Sequence, residues 1–289
     1  MTFTPQGLQD LMGQVDVAAA TDETGYKQVW LAANGLQESR TPLELAVAGG
    51  LMAADFAQVF IAGYQAALRA VFSDTSFSGW AGFVVSEDRS EVDPLPGVVA
   101  ALQDNRYSLN GYKSWVAAVN GIDELVVRAR GDSAGYFLVA RDANGLQLSV
   151  NPAPSMLPSL SQGRAALEDV AVGQEARLDD SQVPAFSAVE AFYIYVAFVA
   201  ATWRMLRDVD AAQDCSDMLV MAAAIDPVVN ADGSGKLKVD AVAFSELDHK
   251  VQQLRRQVGV DVFADNPDWQ RDQTLIRMYS KGIQSRASN

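Results

Sequence analysis

The chain has 289 residues, 49% of them hydrophobic, which is enough to bury one large core or two modest ones. It carries 22 Lys and Arg against 36 Asp and Glu, and this net charge of −14 argues against a nucleic-acid partner. A single cysteine, Cys215, excludes a disulfide framework and fits a reducing compartment. The first residues lack the pattern of a signal peptide, so we expect a cytoplasmic protein.

The N-terminal segment is predicted to be helical. Short helices are expected over residues 5–20 and 26–33, the second ended by an Asn-Gly pair. Thr41 and Glu44 have the spacing of a capping box, with Pro42 at the first helical position. One long helix is predicted from there to about residue 72, and the glycines at 49 and 50 indicate a close crossing by a neighbouring element.

The next hundred residues are predicted to form a compact antiparallel β unit. Strands are expected over residues 79–87, 98–102, 124–130 and 135–141. Asn-Gly pairs at 110–111, 120–121 and 144–145 supply turn signals. The first pair lies between two alternating runs, so the sequence predicts a hairpin turn at Asn110 and Gly111.

The remainder is predicted to be helical, over residues 185–212, 214–224, 239–258 and 268–286. The longest apolar run, residues 191–203, is too short to span a bilayer, and Glu190 and Arg204 flank it. We therefore expect a buried core helix and no membrane contact.

Charge is unevenly distributed. Residues 250–289 hold seven Lys and Arg against four Asp, a net charge of +3 that leaves −17 for the rest. If any part of the protein handles phosphates, this segment is the one. The alternative is that these cations lie at helix C-termini, where they are favourable.

No metal or nucleophile motif stands out. The turn cluster at residues 230–235 lacks the spacing and the final Glu of a calcium loop. The single histidine, His249, cannot by itself build a multi-histidine metal site, and no Walker or GxGxxG sequence is present. We predict no metal site.

Several motifs resemble acyl-CoA dehydrogenases. LNGYKSW at residues 109–115, a strand that ends in Ala-Arg, the FLV run at 137–139 and LEDVAV at 167–172 are similar to the middle β domain of that family. Its usual text there is LNGxKxWITN, FxVxxDxPG and FEDVxVP. The C-terminal segment follows the family's order QxxGGxG, P, RD, IYEGT and IQR in part, with the last element at residues 283–286.

The resemblance implies an α+β fold of the acyl-CoA dehydrogenase type, in shortened form. It would comprise an N-terminal helical lobe at residues 1–75, a middle antiparallel β domain at 76–182 and a C-terminal helical bundle at 183–289. Such proteins usually assemble, so a homo-oligomer or a heteromeric partner is expected.

The resemblance also implies FAD-dependent oxidation of a CoA thioester, in which a carboxylate removes the α-proton while flavin accepts a hydride. The position that matches the family's usual base is Ser280. Some members place the base on the first helix of the C-terminal domain, and Glu190 falls there, although a Glu at a helix start is also a favourable dipole contact. The positions expected at the cofactor are Val85, Ser86, Trp115, Ala117 and Gln284.

Other positions depart from the family. Asp88, Arg89 and Ser90 replace its Pro-Gly-x-Gly-Ser-Asp, so glycines that let the backbone approach a cofactor are missing. Its Arg-x-x-Phe-Gly, which holds the FAD pyrophosphate, has no counterpart near residues 214–219. The alternative function is therefore a non-catalytic homologue that acts as a partner or structural subunit.

Overall fold

The computed structural model describes residues 7, 10, 11, 13, 22–34, 40–206, 211–231, 235–261 and 267–288. The chain divides into two compact units. Met1–Val71 and Gln182–Asn289 form what we call the helical unit, and Phe72–Ser181 form the β unit. The helix predicted over residues 5–20 lies mostly outside the described residues.

The helical unit contains eight helices within the described ranges. They are α1 (Glu23–Asn34), α2 (Pro42–Met52), α3 (Phe56–Val71), α4 (Phe186–Met205), α5 (Ala211–Ala224), α6 (Ala241–Asp261), α7 (Pro267–Asp272) and α8 (Thr274–Ala287). The single helix predicted over residues 268–286 is therefore wrong, because the chain leaves the helix at Gln273 between α7 and α8.

The long helix predicted to start at Thr41 is also two helices. Its start is confirmed, since Thr41 and Glu44 form a capping box. It ends early because Ala53 is extended, with φ −71° and ψ 130°. Asp55 then starts α3 by accepting a hydrogen bond of 2.8 Å from the Gln58 backbone N–H. The Gln58 side chain accepts a further bond of 2.7 Å from Ala54 N–H, which satisfies a second donor at the break.

The core of the helical unit is α4. Its side chains from Ala191 to Thr202 are all buried. The segment Val183–Met205 is long and apolar enough to cross a bilayer by composition, but most of it is buried inside the protein. This burial confirms the predicted core helix.

Two glycines let α4 approach its neighbours closely. A Cβ on Gly50 of α2 would lie 2.8 Å from the Ala197 Cα, and one on Gly63 of α3 would lie 2.5 Å from the Ile194 Cα. Real Cβ atoms do not approach backbone atoms so closely. The close crossing predicted at residues 49–50 is therefore confirmed, and a second crossing lies at Gly63.

The β unit contains two four-stranded sheets. In one the order is β1-β4-β5-β8, and in the other it is β2-β3-β7-β6. Neighbouring strands are antiparallel except β1 and β4, which are parallel. The strands are β1 (Ala81–Val84), β2 (Val99–Gln103), β3 (Arg106–Ala117), β4 (Glu124–Ala129), β5 (Gly135–Ala140), β6 (Leu146–Val150), β7 (Gln162–Gly173) and β8 (Arg177–Leu178).

The hairpin predicted at Asn110 and Gly111 is wrong. Strand β3 continues through both residues, with a shift of register at Gly111, whose φ is 131°. The turn between β2 and β3 is made by Asp104 and Asn105, whose φ values of 47° and 63° suit a type I′ turn. Asn110 instead bridges β3 to β7, because its side-chain oxygen accepts a bond of 2.8 Å from Asp169 N–H.

The other two Asn-Gly pairs do lie in turns, at residues 120–121 and 144–145. Neither closes a hairpin, since each turn leads from a strand of one sheet to a strand of the other. The sequence predicts these turns correctly, but residues distant in sequence determine how the flanking strands pair.

Adding one methyl group at the α3–α4 crossing should destabilise the protein. We expect Gly63→Ala to lower the free energy of unfolding by about 2–4 kcal/mol, because the Ile194 backbone cannot move aside as a side chain could. The measurement is denaturant unfolding followed by circular dichroism. The matched control is Gly282→Ala in α8, where the new Cβ meets only the flexible end of Arg286 at 3.3 Å. The control should be neutral or stabilised by up to about 1 kcal/mol, and equal loss in both variants would contradict the packing argument.

Candidate functional site

Four of the residues predicted at the cofactor come together on the β unit. Val85 and Ser86 follow β1 directly, and Trp115 and Ala117 lie at the end of β3. The two segments are joined by a hydrogen bond of 2.9 Å from the Ser114 N–H to the Ser86 carbonyl. Ser86 is exposed and Val85 and Trp115 are half-buried, whereas Ala117 is fully buried.

The Trp115 ring is held by its polar edge. Its indole N–H donates a bond of 3.2 Å to the Gln162 side chain, which in turn donates 2.6 Å to the Met156 carbonyl. An indole fixed at its nitrogen and still half-exposed offers an oriented aromatic surface. A planar ring system could stack against that surface.

A buried ion pair stabilises this region, and no pattern in the sequence predicts it. The Lys113 side chain is completely buried, and its ammonium group lies 3.1 Å from the Glu87 carboxylate. The second oxygen of Glu87 bonds Arg130. Burial lowers the pKa of Lys113, and its bond to Glu87 acts in the opposite direction. Glu87 is adjacent to Ser86 and Lys113 to Ser114, so the pair fixes both segments.

The loop that follows Glu87 is stabilised by hydrogen bonds between its own residues. The Asp88 carboxylate accepts bonds from the Ser90 N–H at 3.0 Å, the Ser90 hydroxyl at 2.6 Å and the Leu95 N–H at 3.1 Å. These bonds, led by the Ser90 hydroxyl, lower the pKa of Asp88 to about 2. Two backbone donors of this loop, the N–H groups of Ser90 and Leu95, are therefore already used.

Among the cavities of the β unit, one of about 210 Å³ lies beside Lys113 and Ser114. It extends toward Ser149 and Arg164 and includes none of the four predicted residues.

The predicted base, Glu190, lies in the second turn of α4 in the helical unit. It is half-buried, and burial raises its pKa to about 7. The Tyr279 hydroxyl of α8 donates a hydrogen bond to the carboxylate, which lowers the pKa in part. Tyr64 of α3 also raises the pKa of Tyr279 electrostatically.

Ser280, the position that matches the family's usual base, is bonded to a different carboxylate. Its hydroxyl donates 2.7 Å to Oδ2 of Asp248, a residue of α6 that is 1% exposed. Asp248 also accepts bonds from Tyr195 at 2.7 Å and Gln252 at 3.0 Å. Ser280 is therefore a hydrogen-bond donor within a buried polar network.

Gln284, the fifth predicted cofactor residue, belongs to the same network. Its amide donates 2.6 Å to Asp248 and accepts 2.8 Å from the Ser245 hydroxyl. The structure thus brings Val85, Ser86, Trp115 and Ala117 together on the β unit and assigns Glu190 and Gln284 to separate clusters of the helical unit.

The residues of the β unit fit one part of a flavin. Trp115 and Ser86 present an oriented aromatic surface and an exposed hydroxyl, which suit a planar ring with polar edges. In the Asp88 loop the N–H groups of Ser90 and Leu95 bond Asp88 and are not available to the phosphate end. Ala117 has no exposed side-chain surface.

The raised pKa of Glu190 predicts a pH-dependent stability. The folded protein holds a proton up to a pH of about 7, whereas the free carboxyl loses it near 4.5, so the charge costs stability as pH rises between these values. We expect Glu190→Gln to gain on the order of 2 kcal/mol over wild type between a pH of about 5 and about 8. Thermal unfolding at several pH values measures this difference. In the exposed Glu246→Gln control the difference should be much smaller, and equal behaviour of the two variants would refute the assignment.

Comparison with known proteins places the fold. No protein-family model matches the sequence, and no curated protein sequence matches it. FMN-bound TdsC from Paenibacillus sp. A11-2 is 12% identical, with a TM-score of 0.68 over 99% of this chain and 95% of that chain. Butyryl-CoA dehydrogenase from Megasphaera elsdenii is 11% identical, with a TM-score of 0.62 over 98% of this chain and 97% of that chain.

A third structure is the ChsE4-ChsE5 complex from Mycobacterium tuberculosis, at 16% identity and a TM-score of 0.58 over 99% of this chain and 92% of that chain. The predicted α+β fold, with helical segments before and after an antiparallel β unit, is confirmed by these matches. At such identities the similarity is one of fold. The chain therefore has the acyl-CoA dehydrogenase fold, in a form whose sequence has diverged widely from these proteins.

Proposed function

We propose that the protein is a cytoplasmic flavin-dependent dehydrogenase of acyl-CoA-type thioesters, with Glu190 as the proton acceptor. The observation that carries the proposal is the state of Glu190, a half-buried carboxylate whose pKa is raised to about 7. A general base is most effective when its pKa lies near the working pH. The raised pKa of Glu190 therefore supports its assignment as the proton acceptor.

In this reaction the α-proton of the thioester passes to a Glu190 oxygen, and the β-hydrogen leaves with its electron pair. FAD, when bound, would supply the acceptor for that hydride. Tyr279 would orient the Glu190 carboxylate by donating its hydroxyl to it. Protonation of Glu190 and loss of the hydride together leave a carbon–carbon double bond in the substrate.

The β unit would hold the flavin ring. Trp115 offers the stacking surface, and Ser86 and the adjacent backbone of Val85 offer polar contacts. Among structures of the same fold, TdsC is FMN-bound and butyryl-CoA dehydrogenase is named for a CoA thioester. These neighbours support a flavin and a thioester substrate, and we propose FAD as the flavin.

The second candidate function is a non-catalytic subunit. Ser280 replaces the usual acid and is bound to Asp248, and the Asp88 loop is closed where the family has glycines. A complex of two chains, ChsE4-ChsE5, has the same fold. A partner subunit could keep the fold without the chemistry, either in a homo-oligomer or beside an active chain.

Flavin uptake separates the two functions. We expect the purified protein to be yellow, or to take up added FAD with the absorbance and quenched fluorescence of a bound flavin. Trp115→Ser should weaken FAD binding at least about tenfold, because the stacking surface is lost. Tyr112→Ser, which removes an exposed aromatic on the same strand, is the control and should bind FAD normally. A colourless protein that takes up no FAD would favour the non-catalytic subunit.

If the protein turns over a thioester, Tyr279→Phe tests the base. Loss of the hydrogen bond from Tyr279 removes a stabilising contact of the carboxylate, so the pKa of Glu190 should rise above about 7. The acid limb of the profile of kcat/KM against pH should then move up by roughly 0.5–1 unit. Glu190→Gln should abolish turnover while FAD binding is retained.

Tyr112→Phe on the β unit serves as control for the loss of a phenol and should leave the profile in place. An acid limb that does not move in Tyr279→Phe, or full turnover in Glu190→Gln, would assign the proton transfer to another group.

A further inference from the structure

The carboxylate of Asp248 in α6 connects three helices of the helical unit. The side chain is buried, with 1% exposure. Its Oδ1 accepts a hydrogen bond of 2.7 Å from the Tyr195 hydroxyl of α4 and one of 3.0 Å from Gln252 of α6. Its Oδ2 accepts bonds of 2.7 Å from Ser280 and 2.6 Å from Gln284, both in α8. One oxygen therefore bonds α4, and the other bonds α8.

The bonds to α8 fix the placement of that helix against α6. The Gln284 amide group, which donates to Asp248, also accepts a bond of 2.8 Å from the Ser245 hydroxyl, so both polar ends of the side chain are held by α6. Ser280 and Gln284 are four residues apart and lie on the same face of α8. Two bonds at this spacing determine both the height of α8 along α6 and its rotation about its own axis.

The residue before Ser280 is Tyr279, which reaches Glu190. Successive residues of a helix are about 100° apart around its axis, so Tyr279 and Ser280 point in different directions. Ser280 bonds α6, whereas the Tyr279 hydroxyl donates to the Glu190 carboxylate of α4. A hydrogen bond weakens steeply outside a narrow range of distance and angle. A shift of α8 by the rise of one residue, about 1.5 Å, would be enough to break the bond from Tyr279.

The groups that act on Glu190 distinguish a direct effect of Asp248 from an indirect one. Within the described residues the pKa of Glu190 is raised by burial and lowered in part by the Tyr279 hydroxyl. Tyr279 is in turn acted on by Glu190 and by Tyr64 of α3. We therefore expect any effect of Asp248 on Glu190 to pass through the placement of Tyr279.

We propose that Asp248 is a positioning residue for Glu190, because it holds α8 where the Tyr279 hydroxyl meets the Glu190 carboxylate. A buried polar network whose members are all satisfied specifies one arrangement of the helices that it joins. The role of Glu190 as proton acceptor rests on the proposed function, whereas the placement of Tyr279 does not. If Glu190 is the acceptor, Asp248 helps to set the pH range in which it works.

The test is the pKa of Glu190, measured by NMR without flavin or substrate. Protein labelled with carbon-13 at the glutamate carboxyl carbon is titrated, and the Glu190 signal is assigned by its loss in Glu190→Gln. We expect Asp248→Asn to raise the pKa of Glu190 by roughly 0.5–1 unit, because the bond from Tyr279 is weakened. The double variant Asp248→Asn/Tyr279→Phe should show the same rise as Tyr279→Phe alone, since both changes act on one contact.

Ser280→Ala is a milder variant for the case that Asp248→Asn does not fold. It removes one of the four bonds to Asp248 and should raise the pKa of Glu190 in the same direction. Ser280→Thr, which restores the hydroxyl, should return the pKa to the wild-type value. This rescue would not be expected if any change at residue 280 disturbed the helix equally.

The matched control is Asp226→Asn. Asp226 is another buried carboxylate bonded to a tyrosine of α4, Tyr193 at 2.7 Å, and its other bond is to the Val228 N–H, so the bonds described for it do not involve α8. The control should leave the pKa of Glu190 unchanged even if it lowers stability.

An unchanged or lowered pKa of Glu190 in the folded variants of Asp248 and Ser280 would overturn the proposal. Full additivity with Tyr279→Phe, or an equal rise in Asp226→Asn, would overturn it as well. A protein that shows the expected shifts but turns over no thioester would instead refute the proposed function, because titration of the free protein does not depend on turnover.

Discussion

The backbone contact between α4 and the glycines of α2 and α3 is the constraint on which the helical unit depends. At Gly50 and Gly63 the helices touch with no side chain between them, so the rotation and height of α4 are fixed by backbone geometry. Glu190 lies one turn before Ile194, which Gly63 contacts. The same crossing that closes the core therefore sets where the carboxylate meets Tyr279.

In the β unit an ion pair, and not a glycine contact, fixes two segments relative to each other. Lys113 is completely buried in a strand where an apolar residue would be ordinary, and Glu87 compensates its ammonium group. Such a pair is a poor source of net stability, but removal of one member leaves an unpaired buried charge. Its value is in registration, because it fixes β3 relative to the segment after β1, and these carry Trp115 and Ser86.

The sequence predicted the features that depend on nearby residues. Periodicity identified the buried helix α4, and the spacing of Thr41 and Glu44 identified the start of α2. The prediction from sequence failed where a residue distant in the chain determines the local structure. Asn110 was predicted in a hairpin turn but bonds Asp169 on another strand. Position in the sequence indicated Glu190, but its raised pKa depends on burial, which the sequence does not show. The Lys113–Glu87 pair was equally invisible, because no local pattern distinguishes a buried lysine from an exposed one.

The two carboxylates that meet side chains of α8 differ in their capacity to accept a proton. Asp248 accepts four hydrogen bonds, two on each oxygen, so it has no free lone pair for a substrate proton. The Ser280 hydroxyl donates its proton in a hydrogen bond to that same carboxylate. Within the described residues Tyr279 acts on Glu190 as a donor, and Glu190 is buried enough to favour the protonated form near neutral pH. A proton could therefore be accepted at Glu190 and not at Asp248, although both carboxylates contact side chains of the same helix.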